Sequence, residues 1–172
     1  MNRLIAIAII FFISTTGRAF GTTPLLEVQV SSGGMVAFAG KYLYLRLFNN
    51  GRVDSEDINN IGHAIQRRRT RISPAHLKLL REFLKSENTR KLAAFYPPAN
   101  PPLDHLKTIK ISIHRDSYLQ TVEILNYDFL RGMDKGLYPK SLLDFMCQIE
   151  KIRPDSPPRL TAHGLCTLFS KS

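Results

Sequence analysis

Twice along this chain, two alternating apolar and polar segments joined by a short polar turn give way to a proline-opened amphipathic helix. That order limits the fold more than any other feature. In residues 42–48, Leu43, Leu45 and Leu47 alternate with Tyr42, Tyr44, Arg46 and Phe48, the two-residue period of a strand with one buried face. Asn49-Asn50-Gly51 tolerates positive φ and marks a hairpin into 52–58. A charged stretch at 64–72 is expected to pair beside it. Ser73-Pro74 then reads as an N-cap followed by proline at the first helical position, where its missing N–H costs nothing. Leu77, Leu80 and Leu84, flanked by Leu79 and Phe83, recur at helical spacing and predict a helix to about residue 85.

The second round repeats the order. Ile109, Ile111 and Ile113 alternate with Thr108, Lys110, Ser112 and His114, and Arg115-Asp116-Ser117-Tyr118 turns the chain into 119–126. Pro139 opens a helix carrying Leu142, Phe145, Met146, Ile149 and Ile152 on one face, ended by Arg153-Pro154. Before the first round, 25–30 and 35–38 are weaker strand candidates, separated by the turn cluster Ser31-Ser32-Gly33-Gly34. The proline run of residues 96–102 reads as an extended surface loop. Hairpins make antiparallel sheet, and helices that interrupt them collect on one face. The expectation is an α+β two-layer sandwich: an antiparallel sheet of four to six strands with two main helices on one face. The stripes Leu77/Leu80/Leu84 and Leu142/Phe145/Ile149 should cover Leu43/Leu45/Leu47 and Ile109/Ile111/Ile113. Tyr42 and Tyr44 either extend an outer surface or become core beneath a helix.

The front of the chain speaks to destination. Met1-Asn2-Arg3 precedes ten uncharged apolar residues, 4–13, and then small residues with candidate cleavage sites at Gly17-Arg18-Ala19 or Ala19-Phe20-Gly21. This is the order of a secretory signal peptide. The apolar run is half the roughly 20 residues a spanning helix needs. The expected organisation is therefore a signal peptide at 1–19 cleaved near 19–21, one α+β domain at 20–153, and a Pro-rich tail at 154–172 that docks through its apolar stretch. No transmembrane segment is expected after cleavage, and the location is periplasmic or secreted. There, Cys147 and Cys166 can oxidise to a disulfide, whose loop of about 20 residues would stabilise by about 3 kcal/mol on the chain-entropy argument. Two buried thiols are the other reading.

The run Tyr44-Leu45-Arg46-Leu47-Phe48-Asn49-Asn50-Gly51-Arg52-Val53, then Ile72-Ser73-Pro74 with its amphipathic helix, then the 106–126 hairpin, resembles certain uncharacterised exported bacterial domains. The likeness covers about residues 40–150. The Cys-Pro pair that some of those domains carry near the first strand is absent from this sequence. The resemblance implies a strand hairpin, helix, strand hairpin, helix fold and an envelope location, and no chemistry.

Charge is the most uneven property of the chain. The formal net charge is +10, falling to +8 once Arg3 and Arg18 leave with the signal peptide. Between His63 and Lys91, nine cationic residues face only Glu82 and Glu87, a local excess of +7. Arg67, Arg69 and Arg71 would project from one face of a strand and Arg68 from the other, so this strand belongs at a sheet edge, where charge blocks aggregation. Pairing with Asp54, Glu56 and Asp57 fits that protective role. The functional alternative is an anion-binding surface made by Arg67, Arg68, Arg69, Arg71, Lys78 and Arg81, since guanidinium forks match carboxylates and phosphates. Its partner would be an anionic polymer, a lipid headgroup or an acidic protein. Nucleic acid is not expected outside the cytoplasm.

Catalytic patterns do not assemble. His63, His76, His105, His114 and His163 show no metalloprotease spacing, no serine sits in Gly-x-Ser-x-Gly, and no glycine-rich phosphate loop occurs. Neither cofactor nor metal is expected. Cys166 near His163 resembles a nucleophile pair, which a bond to Cys147 would silence. The leading expectation is an exported, non-enzymatic interaction module. The alternative is an envelope hydrolase or transferase with a dispersed site of Asp104, His105 and His114 near the 97–105 loop.

Overall fold

Three isoleucines at alternate positions anchor the architecture. In the computed structural model, Ile109, Ile111 and Ile113 are fully buried on β6 (His105–His114) and lie opposite Val30, Val28 and Leu26 of β1 (Pro24–Gly34). Burial of a side chain of this size contributes about 1.5–3 kcal/mol. The structure describes residues 23–34, 40–58, 64–98, 105–125 and 129–152, together with Leu160 and Cys166. The expected signal peptide at 1–19, the weak strand at 35–38, residues 99–102 of the proline run and most of the 154–172 tail lie outside the described residues.

The other strands are β2 (Gly40–Phe48), β3 (Arg52–Ile58), β4 (Ala64–Arg71), β5 (Phe95–Tyr96) and β7 (Leu119–Leu125). They form one sheet in the order β4-β3-β2-β1-β6-β7-β5. The α+β class is as expected, but the sheet has seven strands and is mixed, because β5 runs parallel to β7. Two residues of β5 suffice: Tyr96 is buried opposite Ile124, which pulls the start of the supposed proline loop into the sheet. Ser31–Gly34 do not turn. They continue β1, because Ser31 to Gly34 pair with Thr108 to His105 of β6. Tertiary pairing there overrides local turn preference.

A β-bulge corrects the expected face of β2. Val28 lies opposite Leu45, but its neighbour Gln29 lies opposite Leu43, leaving Tyr44 as an extra residue. One inserted residue reverses every side chain beyond it. Leu45 and Leu47 reach the core as expected, whereas Leu43 shares the open face with Gln29 and is half-buried. Tyr42 and Tyr44 are buried with the core instead. Phe48, expected to face outward, is also buried, and the Arg52 guanidinium carbon stands 3.7 Å from its ring centre.

The helices are α1 (Pro74–Lys85), α2 (Glu87–Arg90), α3 (Phe129–Asp134) and α4 (Lys140–Ile152). Ser73 caps α1 as its sequence suggested, its hydroxyl accepting from the His76 N–H at 3.2 Å. The short helices α2 and α3 carry no periodic stripe long enough to be read beforehand. Leu77, Leu80 and Leu84 of α1 and Leu142, Phe145 and Ile149 of α4 are buried in the core, where Phe83 and Phe145 stack at 5.8 Å. The turn after β6 clamps the end of α1. Arg115 donates to the Leu84 carbonyl and to Gln120, whose amide donates to the Thr89 carbonyl at 3.0 Å. Burial pushes the Arg115 guanidinium below its usual value, opposed by the neighbouring Tyr118. At the far end, Cys147 of α4 and Cys166 are joined in a disulfide with a Cα separation of 5.4 Å, within the ordinary range. Leu160 is buried in the same core.

Candidate functional site

Asn49 and Asn50 turn the chain from β2 into β3, and Gly51 holds φ at +80°, a value that side chains other than glycine rarely adopt. After this turn the two strands stay together only briefly, with Arg46 opposite Asp54 and Leu47 opposite Val53. The β2–β3 ladder ends at Arg46, beside the bulge at Tyr44, and so does not reach Leu43. The Leu43 N–H donates to a Glu56 carboxylate oxygen at 2.7 Å instead. Where the strands splay, an open cleft of about 430 Å³ forms, lined among others by Lys41, Leu43, Arg46, Glu56, Arg67 and Arg69.

Opposite β3, β4 ends the sheet and carries the arginine run. The register sets Arg67 against Glu56, Arg69 against Asp54 and Arg71 against Arg52, with Arg68 on the other face opposite Ser55. Each of the three consecutive arginines is held through Nε by a β3 carboxylate: Arg67 by Glu56 at 3.2 Å, Arg69 by Asp54 at 3.1 Å, and Arg68 by Asp57. Their side chains nevertheless stay largely in water, 88%, 71% and 51% exposed for Arg67, Arg69 and Arg68. Exposed pairs of this kind contribute about 0–1 kcal/mol each. On the open face the pairing continues inward, since Arg46 meets Glu27 of β1 at 2.5 Å. Glu27, Arg46, Asp54 and Arg69 therefore form one row of alternating sign across four neighbouring strands.

The structure groups the expected site residues differently from the sequence. Arg67, Arg68 and Arg69 line the cleft with Arg46 and Lys41, whereas Lys78 and Arg81 do not. Arg81 instead donates to the Asn49 carbonyl at 2.6 Å and steadies the β2–β3 turn. Arg71 sits beside Arg52, whose Nε lies 3.3 Å from Asp54 at an angle that makes no hydrogen bond. The expected +7 segment is also partly offset. Strand pairing brings in Arg52 with Asp54, Glu56 and Asp57, so residues 52–91 carry ten cations against five anions, a net of +5. Lys41 and Gln29 were invisible beforehand, because only the bulge brings them to the cleft.

Of the dispersed alternative, only the placement of His105 and His114 along one strand can be described. His105 and His114 are the first and last residues of β6, roughly 30 Å apart at about 3.4 Å per residue. Asp104, His63 and His163 lie outside the described residues. Among the described residues, no group of three or more His, Cys, Asp or Glu is placed to hold a metal ion. No helix among them is long and apolar enough to cross a membrane. No protein-family model matches the chain, and no curated protein matches it either.

Proposed function

We propose that this chain is an exported, non-enzymatic interaction module that binds an anionic envelope component or an acidic protein partner through the β3–β4 ribbon. Export rests on the charged, apolar, small-residue order at 1–19 and agrees with the resemblance to exported bacterial domains. The Cys147–Cys166 disulfide is compatible with an oxidising compartment.

One observation carries the binding assignment. Three consecutive arginines, each tethered through a single nitrogen, keep most of their side-chain surface in water beside an open cleft. A tether through Nε fixes the plane of a guanidinium and reduces the entropy lost when its other N–H groups grip a carboxylate or phosphate. The Arg67, Arg68, Arg69 cluster is the core of the surface, with Arg46 and Lys41 at its inner wall. Arg71 and Lys78 extend its field.

The test is retention of the oxidised protein on vesicles of phosphatidylglycerol and phosphatidylcholine, and on an immobilised polycarboxylate, across a salt series. Retention at low salt that fades as screening shortens to about 8 Å is expected. Absent or salt-indifferent retention would overturn the reading.

A further inference from the structure

We infer that β4 is a docking edge for an extended acidic segment of a protein partner, which would join the sheet as an eighth strand. This rests on the basic-ribbon reading and specifies the partner's form. Among the described residues, β4 closes the sheet on one side and pairs only with β3. Every second residue of such a strand turns its N–H and C=O away from the sheet. Gln66 through Arg71 are all exposed, and no other described strand lies along that edge. Its eight residues span roughly 27 Å at about 3.4 Å each, longer than an average strand.

Charge selects the occupant. The row Glu27, Arg46, Asp54, Arg69 alternates in sign from β1 to β4, and its next place would fall on the added strand opposite Arg69. A carboxylate there continues the row. A second row, Glu56 then Arg67, calls for another two residues away. Arg67 and Arg69 share one face at the two-residue spacing of any strand, so acids at alternate positions meet both. A second copy of the chain is rejected by the same charges. Antiparallel pairing of two β4 strands about Arg69 would set Arg69 against Arg69 and Arg67 against Arg71, and like charges directly opposite destabilise. The arginines thus guard the edge against copies while admitting acidic strands.

The experiment uses a synthetic peptide with Glu at alternate positions and Thr or Val between, measured by fluorescence anisotropy on the full oxidised chain. A peptide of equal composition with its Glu residues in one block is the control. Two further peptides carry backbone N-methyl groups at all odd or all even positions. The alternating peptide should bind at least about tenfold tighter than the block control, a difference of about 1.4 kcal/mol. One N-methyl pattern should abolish binding and the other preserve it, because only one edge of the added strand faces β4. Equal binding of both methylated forms, or of block and alternating forms, would overturn strand addition. If the protein were then still retained on phosphatidylglycerol vesicles, the basic-ribbon reading would survive alone; if nothing were retained, both would fall. As a second readout, Arg67→Glu with Arg69→Glu, checked for an unchanged circular dichroism spectrum, should switch preference to an alternating Lys peptide. An unswitched preference would count against the inference.

Discussion

Replacing Gly132 by alanine sets two effects of opposite sign against each other. Gly132 lies in α3 and its backbone φ is not positive, so alanine should stabilise the helix by about 1 kcal/mol on propensity alone. Space forbids it. A Cβ built there would stand 2.0, 2.2 and 2.6 Å from three ring carbons of Tyr138, well inside contact distance. The ring has little freedom to retreat. Its hydroxyl donates to the Pro97 carbonyl at 3.1 Å, its own N–H donates to the Gly132 carbonyl at 3.0 Å, and it packs edge-on against Tyr96 at 6.0 Å between ring centres. Overpacking costs about 1–3 kcal/mol, and expelling the ring would cost about 1.5–3 kcal/mol of burial plus about 1 kcal/mol for the hydrogen bond. With the ring expelled and the helix gain subtracted, a net loss of about 1.5–3 kcal/mol is expected. Urea unfolding should show it as a midpoint lowered by about 1–2 M with an unchanged slope. In a Tyr138→Ala background the same Gly132→Ala change should become neutral or favourable, the coupling that a double-mutant cycle isolates. A neutral or stabilising single variant would refute the packing assigned to this corner.

Three other outcomes follow from the structure. Changing Cys147 and Cys166 together to alanine should lower the unfolding free energy by about 2–4 kcal/mol, and the native protein should weigh about two daltons less than its reduced form. Burial pushes the Tyr96 hydroxyl above its usual value near 10, opposed by the hydrogen bond from Ala93, so folding favours the protonated form. That contribution is intact below the unfolded value and is lost as pH rises through the folded one; Tyr96→Phe should be about 1 kcal/mol less stable at about pH 8, and a gap that widens rather than narrows towards about pH 11 would contradict this. Glu56→Gln keeps an acceptor for the Leu43 N–H but removes the charge beside Arg67, so it should strengthen retention on anionic vesicles while changing stability by less than about 1 kcal/mol.

Sequence made much of this fold legible where one period ran unbroken. Ile109/Ile111/Ile113, the Asn49-Asn50-Gly51 turn, the Ser73 cap and the stripes of α1 and α4 all stand where periodicity and turn chemistry put them. Misreadings arose where long-range pairing overrides local preference. Ser31–Gly34 look like a turn until β6 supplies partners, and β5 is too short to carry a pattern. The bulge at Tyr44 reassigned Leu43 and Tyr42, since a single unpaired residue reverses faces without leaving a mark in composition. At the candidate site, the edge position of β4 and the facing of Arg67, Arg68 and Arg69 were readable from charge on both faces. So was the pairing with Asp54, Glu56 and Asp57, whereas the cleft was not, because it exists only where β2 and β3 part.

The most direct measurement compares salt-dependent retention on phosphatidylglycerol vesicles for the native chain, for Arg67→Gln with Arg68→Gln and Arg69→Gln, and for Lys107→Gln with Lys110→Gln and Lys151→Gln. Both variants lose three exposed cations, so net charge is matched and only position differs. If the ribbon binds, the arginine variant should weaken at least about tenfold, about 1.4 kcal/mol, while the lysine variant stays close to the native chain. Equal weakening of the two would reduce the attraction to overall charge and contradict a site on β4.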